Sequence, residues 1–281
     1  MSLAWGERTF VMGVINLTPD SFSDGGRFLA SDRALSQASA QLAQGADVLD
    51  LGAQSTRPGA IEVGPQQEMA RLLEPLQLIR KCYPQALISV DTFIPAVAEA
   101  ALANGANWVN DVRGCSERRD TAMFQLVASA CCPYVLTHSR GTSAEMDSLT
   151  SYHDVVSEVR EQLLFATDQA VAAGVRPEQL IWDPGLGFAK TTEQNLQLLR
   201  GLTSLRAEGF PLLIGPSRKR FIGVVLDEPR AKARLWGTAA VCAQAICAGV
   251  DLLRVHDVGP IAKTSRMVDS IVRAPSGSFT I

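Results

Sequence analysis

The stretch Leu87–Val112, LISVDTFIPAVAEAALANGANWVNDV, holds one complete strand–helix–strand unit. LISVD is a short, nearly continuous apolar run, of the kind that suits a parallel strand covered on both faces. Gly105 closes the helical segment that follows, at the left-handed position where a missing Cβ avoids a steric penalty. WVNDV then opens the next strand and carries polar residues at its far end.

The same unit recurs outward in both directions. Strands are expected at Thr9–Asn16, Asp47–Ala53, Leu87–Thr92, Trp108–Val112, Pro133–His138, Leu180–Pro184, Pro211–Ser217 and Leu252–Val258. Between them, Ala34-Leu35-Ala38-Leu42, Leu72-Leu73-Leu76-Ile79 and Leu196-Leu199-Leu202-Leu205 each place apolar residues on one helical face. Gly45, Gly105, Gly174, Gly209 and Gly249 all follow helical patterns and precede strands. Eight such units predict an α/β fold, a single (β/α)8 TIM barrel with its site at the C-terminal ends of the strands. An open doubly wound sheet is disfavoured, because LTPDSFSDGG rather than a G-x-G-x-x-G turn follows the first strand. No linker or change of composition divides the 281 residues, so one domain is expected over 1–281. Residues 1–8 would cap the barrel bottom, and 274–281 would fray.

Composition narrows the function. Lys+Arg 26 against Asp+Glu 29 gives a net charge of −3, and aromatics are sparse at 6%. Neither suits a nucleic-acid platform. The six cysteines form no C-x-x-C pair and are expected to be reduced, filling buried gaps. MSLAWGERTF lacks the basic and apolar regions of a secretory leader, and Trp236–Val250 is too short to span a bilayer. A soluble, cytoplasmic protein is expected.

Polar residues fall in phase with the strands. Asn16 ends the first, Asp50 lies in the second, Asp91 ends the third, and Asn110-Asp111 ends the fourth. His138 ends the fifth, Asp183 the sixth, Ser217-Arg218-Lys219 follows the seventh, and Arg254 with His256 ends the eighth. In a barrel those ends share one mouth. Arg57, Lys219, Arg254 and the N–H groups near Gly25, Gly26, Gly59 and Gly215 offer donors to a phosphate or pyrophosphate. Asn16, Asp50 and His256 could surround a Mg²⁺, which needs few protein ligands when phosphate oxygens and water supply the rest. Asp91, Asn110 and Asp183 suit a planar nitrogen-rich ring, since a carboxylate accepts two parallel bonds from an amino group and a ring N–H.

Plainer roles stand beside these. Asn16 and Asn110 could cap loops, Thr56 could cap a helix, and Pro58-Gly59 could be only a turn. Asp50 could pair with Arg57 instead of holding metal. His138 reads as a satisfied core or rim histidine, and His153 as solvated. H-E-x-x-H, G-x-x-x-x-G-K-[ST] and G-x-S-x-G are all absent, which disfavours zinc hydrolases, P-loop proteins and α/β-hydrolases.

The segments Met12–Gly26 (MGVINLTPDSFSDGG), Ser55–Ala60, Ser89–Thr92, Asn110–Val112, Asp183–Phe188, Gly215–Lys219 and Arg254–Val258 resemble the dihydropteroate synthase family. The resemblance covers essentially the whole chain in order. It implies a transferase that joins 6-hydroxymethyl-7,8-dihydropterin pyrophosphate to p-aminobenzoate, releasing pyrophosphate and giving 7,8-dihydropteroate in folate synthesis. It further implies that Asp91, Asn110, Asp183, Phe188, Gly215, Lys219 and Arg254 hold the pterin. Asn16, Arg57, Arg254 and His256 would contact the pyrophosphate, with Asn16 also a Mg²⁺ ligand. Phe22, Thr56, Arg57, Pro58, Ser217 and Lys219 would form the p-aminobenzoate site. Asp91, Lys219, Arg254 and His256 would carry the chemistry, and sulfonamide inhibitors and a homodimer are the family's expectation.

Three stretches depart from the family pattern. Gln54 stands where the family has Glu. Thr137-His138-Ser139-Arg140-Gly141 replaces an apolar Met-His-Met-Gln-Gly, and Arg220-Phe221 replaces Ser-Met. A lost buried contact at Ser139 or Arg140 would cost pterin affinity about 1–2 kcal/mol. Two other readings share the pterin-reading residues: a paralogue that binds pterin without turnover, and a pterin-dependent corrinoid methyltransferase. The latter does not need STRPG or SRK to grip pyrophosphate.

Overall fold

Each apolar run of the sequence becomes a strand in the computed structural model, which describes residues 3–18, 27–55, 59–60 and 62–273, leaving aside the side chains of 27–29. The strands are β1 (Phe10–Asn16), β2 (Val48–Gly52), β3 (Leu87–Asp91), β4 (Trp108–Asp111), β5 (Tyr134–Thr137), β6 (Leu180–Asp183), β7 (Leu213–Ile214) and β8 (Leu252–Val255). Among the described residues they form one eight-stranded sheet in the order β6-β5-β4-β3-β2-β1-β8-β7. Every pairing is parallel, and β6 meets β7 at a single bridge, Trp182 to Leu212. Helices alternate with the strands, so the architecture is the expected (β/α)8 barrel.

Two apolar clusters reveal which way each residue points. Phe10, Met12, Val48, Trp108, Val135, Ile181, Leu213 and Leu252 come from seven different strands yet form one cluster. Residues so far apart around a ring meet only inside it. Leu3 and Trp5 pack against this cluster, with Trp5 edge-on to Phe10 and Trp108 at centroid distances of 5.5 and 6.2 Å. The intervening residues, such as Leu49, Leu51, Val109, Leu136, Trp182 and Leu253, belong to the larger cluster shared with the helices. Strand side chains alternate with period 2, so one step of two residues from the inner cluster reaches Asp50, Asn110, Thr137, Asp183, Gly215 and Arg254. An apolar plug therefore fills the lower barrel, and a polar layer lies directly above it.

The helices are α1 (Arg27–Ala43), α2 (Pro65–Cys82), α3 (Pro95–Ala103), α4 (Ala122–Ala130), α5 (Val155–Ala172), α6 (Thr192–Arg200), α7 (Leu202–Arg206), α8 (Arg220–Leu226), α9 (Leu235–Cys247) and α10 (Val258–Val272). Ala34, Ala38, Leu72, Leu76 and Ile79 are buried, as their spacing predicts. The five glycines read as helix terminators all have φ between +91° and +102°.

Four expectations change. The leucine run 196–205 is not one helix: Gly201 separates α6 from α7, and a Cβ there would lie 2.6 Å from Val156 of α5. The seventh strand shrinks from Pro211–Ser217 to two residues. Pro211 and Pro216 bracket it, and the Leu212 N–H is taken by the Asp251 carboxylate at 3.0 Å instead of a ladder partner. The last strand ends at Val255, because Asp257 and Val258 start α10. All six cysteines are free, but only Cys115, Cys132 and Cys242 are buried. Cys82 and Cys247 end helices and Cys131 follows α4, positions on the outer surface. No helix of the described residues is long and apolar enough to cross a membrane. The tail 274–281 lies outside the described residues.

Candidate active site

Arg254 is the hub of the polar layer. Its Nε donates to Asp50 Oδ2 at 2.6 Å and its Nη2 to Asp91 Oδ2 at 2.6 Å. Asn110 Nδ2 donates to the same Asp50 oxygen at 3.1 Å. Strands β2, β3, β4 and β8 are thus tied together by side chains at their mouth. Asp50, read from sequence as a metal ligand or a partner for Arg57, is engaged by Arg254 and Asn110. Burial alone would lower the Arg254 pKa, but the Asp50 and Asp91 carboxylates outweigh it and raise it. Burial raises Asp91 to about 7 despite Arg254, with the Asp50 charge adding to the rise.

Asp183 ends β6 and is buried. Its Oδ1 accepts the Gly185 N–H at 2.8 Å, leaving the other oxygen available to a ligand. Burial raises its pKa, opposed by that N–H and by Lys219 and Arg254. The Lys219 ammonium lies 4.1 Å from the centroid of the Phe188 ring. Burial lowers it to about 8, while the charges of Asp183 and Asp91 act to raise it and that of Arg254 to lower it. The Lys219 side chain also runs against Gly187, where a Cβ would come within 2.8 Å of it.

On the β8 side, the Ser217 hydroxyl accepts the His256 N–H at 3.2 Å and lies 3.1 Å from His256 Nδ1. That contact fixes the ring orientation, with Ser217 donating to Nδ1 in one tautomer and accepting from it in the other. Burial lowers His256 to about 3, with the Arg218 and Arg254 charges adding to the effect, so the ring is neutral at pH 7. Asn16 shares one row of the sheet with Asp91 and Asn110, through the register Asn16–Gly52–Asp91–Asn110. Two strand spacings put it about 10 Å from Asp91. Gly215 lies beside Arg254. The structure therefore gathers Asn16, Asp91, Asn110, Asp183, Phe188, Gly215, Ser217, Lys219, Arg254 and His256 around one mouth. Phe22, Thr56, Arg57 and Pro58 lie outside the described residues.

The polar departures after β5 are satisfied within the fold. Ser139 Oγ donates to the Val112 carbonyl at 2.7 Å. Arg140 pairs with Glu158 at 3.0 Å, donates to the Ser151 carbonyl and stacks on Tyr152 at 3.7 Å, all on the α5 side. Arg220 pairs with Asp147, and Phe221 is buried. Gln54 accepts the Val63 N–H at 2.6 Å and donates toward Glu68 at 3.5 Å. His138 is a buried structural residue as expected, bonded to Gln162 and to Lys190.

Lys190 escaped the sequence reading. Its buried ammonium contacts His138 Nδ1 at 2.9 Å and donates to the carbonyls of Gly185 and Phe188 at 3.1 and 3.0 Å. It thereby holds the turn that carries Phe188 to Lys219. Gly185 is pressed so close to β5 that a Cβ would lie 1.9 Å from the His138 carbonyl oxygen. The sequence signal was present in GLGFAK, a lone lysine closing a glycine-rich turn after a strand.

The arrangement is polarised. Carboxylates and an amide line the floor and match hydrogen-bond donors on a flat ring. Arg254, Lys219 and the neutral His256 and Ser217 beside them match an anion. Among the described residues no group of three or more His, Cys, Asp or Glu could cage a metal.

Comparison with known proteins agrees with this geometry. The pterin binding enzyme family matches residues 12–256. A dihydropteroate synthase from Synechocystis is 46% identical over 269 residues, covering 96% of this chain and 92% of its own. The structure of Xanthomonas albilineans dihydropteroate synthase in complex with 7,8-dihydropteroate superposes with a TM-score of 0.86 at 34% identity, covering 96% of each chain. The Yersinia pestis enzyme with a sulfonamide drug gives a TM-score of 0.90 at 34% identity, covering 98% of each. The chain belongs to the pterin-binding enzymes and, among them, to the dihydropteroate synthases.

Proposed function

We propose that the barrel mouth joins 6-hydroxymethyl-7,8-dihydropterin pyrophosphate to p-aminobenzoate, yielding 7,8-dihydropteroate and pyrophosphate for folate synthesis. The observation that carries this reading is the Arg254 hub, which joins a cation to the Asp50 and Asp91 carboxylates at the barrel mouth. Asp183 receives the amino and ring N–H edge of the pterin, and Asn110 and the Lys219 ammonium complete the in-plane contacts. Phe188 and Gly215 border the ring, and Arg254 covers its outer face.

Cleavage of the C–O bond leaves positive charge on the electron-rich dihydropterin and negative charge on the departing diphosphate. Asp91 stabilises the first. Arg254, Arg57, Asn16 and the neutral His256 imidazole stabilise the second. The arylamine of p-aminobenzoate is a weak base, neutral at pH 7, so it needs orientation more than deprotonation. Ser217 and Lys219, together with Phe22, Thr56, Arg57 and Pro58, provide that orientation. Sulfonamide drugs, which resemble p-aminobenzoate in shape and charge, would compete there.

A magnesium ion fits the donors present. Asn16 would hold it through one hard amide oxygen at the rim, and no carboxylate cage is required when diphosphate oxygens and water fill the other positions. When bound, Mg²⁺ supplies charge neutralisation to the leaving group. The reading also places the protein in the cytoplasm, supported by six cysteines that are free in the fold. It makes the protein a homodimer, supported by exposed Val224, Val225, Trp236, Met267 and Ile271 on α8, α9 and α10, helices packed against one another.

Pyrophosphate release should depend on both p-aminobenzoate and Mg²⁺, and pterin binding without release would refute catalysis. Asp183→Asn should keep the melting temperature near wild type. The same change should weaken the pterin diphosphate by roughly 10–100-fold, the loss expected for a charge-assisted pair. Unchanged affinity by calorimetry would remove Asp183 from the ring-reading role.

A further inference from the structure

Lys219 reaches the cavity from a backbone turn that does not hold itself. Arg218, immediately before it, has φ +62°, a left-handed conformation that disfavours a residue carrying a Cβ. A left-handed non-glycine residue persists only where its surroundings impose that conformation. Three groups do so here. Thr238 Oγ1, fully buried on α9, accepts the Arg218 N–H at 3.3 Å. Asp257 holds the Arg218 guanidinium through two bonds, at 3.0 and 2.7 Å. The third and most extensive is Arg234, just before α9.

One guanidinium at Arg234 gathers carbonyls from both ends of α8. Its Nη1 donates to Arg218 O at 3.0 Å and to Lys219 O at 3.4 Å. Its Nε donates to Glu228 O at 2.9 Å and its Nη2 to Pro229 O at 2.7 Å. The guanidinium lies flat against Gly223, where a Cβ would come within 2.5–2.6 Å of it. A planar fork with fixed donor directions can satisfy this set, whereas a lysine ammonium could reach only part of it. Arg234 makes no contact with the Asp50–Asp91–Arg254 group, so any effect it has on the reaction must travel through the turn it grips.

We infer that Arg234 is a positioning residue for the reaction, fixing the Ser217–Lys219 turn so that the Lys219 side chain enters the cavity beneath Phe188. Thr238 and Asp257 assist from the other side of Arg218. The inference rests on the role assigned above to Lys219, and the test keeps the two apart.

The experiment is a double-variant cycle on the full chain, with KM and kcat measured for both substrates. Lys219→Met alone tests the underlying reading: a variant as active as wild type would overturn the assignment of Lys219 itself. Given an impaired Lys219→Met, Arg234→Gln should raise the KM values by roughly tenfold, because the ammonium is no longer held at the ligand. The Arg234→Gln/Lys219→Met double variant should be no worse than Lys219→Met, since the second change removes nothing further. Loss of folded protein would instead lower kcat at unchanged KM, and its losses would multiply in the double variant; either result overturns the inference. Thr238→Val, nearly isosteric and lacking the acceptor for Arg218 N–H, provides a milder second probe. It should raise the same KM values by a few fold with an unchanged melting temperature, and an unchanged KM would count against the proposal.

Discussion

Lys219 illustrates how one residue can be read from sequence in type but not in state. Its place after the seventh strand, in GPSRK, was legible because polar residues follow the strands in phase. Its proton affinity was not, because that depends on how much water the finished cavity excludes. Burial lowers the ammonium to about 8, from an ordinary 10.5. The charged form is therefore present at pH 7 and lost as pH rises through 8. We expect kcat/KM to fall above pH about 8, as a pH–rate profile would record. Lys219→Arg, charged throughout that range, should retain its residual activity to higher pH, and an unmoved alkaline limb would assign the titration to another group. The role of Arg234, and that of Lys190 despite the GLGFAK signal, could not be read from sequence for a related reason. Each works by holding carbonyls of a turn, and a carbonyl's position is a property of the fold rather than of any residue type.

At the level of elements, α2 carries a group whose cost can be measured. Glu68 is fully buried on this helix, and its Oε1 has no hydrogen-bond partner. Burial raises its pKa to about 7 from 4.5, against the lowering influence of Thr92 and Arg71. The native state thus keeps a proton that the unfolded chain releases at lower pH. Stability from this group is complete below pH about 4.5 and is lost as pH rises through 7. Glu68→Gln should accordingly raise unfolding stability by about 1–3 kcal/mol at pH 8, with the gain vanishing near pH 4.5, as denaturant titrations at the two values would report. A gain of equal size at both pH values would mean that packing, not ionisation, is responsible. Strand and helix positions were legible to within a residue or two where apolar runs and glycines marked them. The failures lie at Gly201, β7 and Asp257, where a contact with another element sets the boundary.

For the whole molecule, eight repeats of one pattern sufficed to place the ring and its mouth, because the inward step of two residues is the same on every strand. The outer surface carried no such rule. Trp236 is 80% exposed and Ile271 70%, and apolar surface of this kind marks an interaction site where it is contiguous. A homodimer built on α8, α9 and α10 would cover them. Trp236→Arg combined with Met267→Glu should convert a dimer to a monomer in analytical ultracentrifugation. A wild-type monomer would refute the homodimer, and an unaffected dimer in the double variant would move the interface elsewhere.

The lone bridge between Trp182 and Leu212 has a consequence of its own. A hoop fastened by one rivet parts at that rivet, so deuterium should enter the backbone amides around it sooner than those of β1–β3. The Asp183 and Lys219 side chains stand above the two sides of this gap. A pterin spanning them would act as a second rivet, and its arrival should slow isotope uptake there more than anywhere else in the sheet.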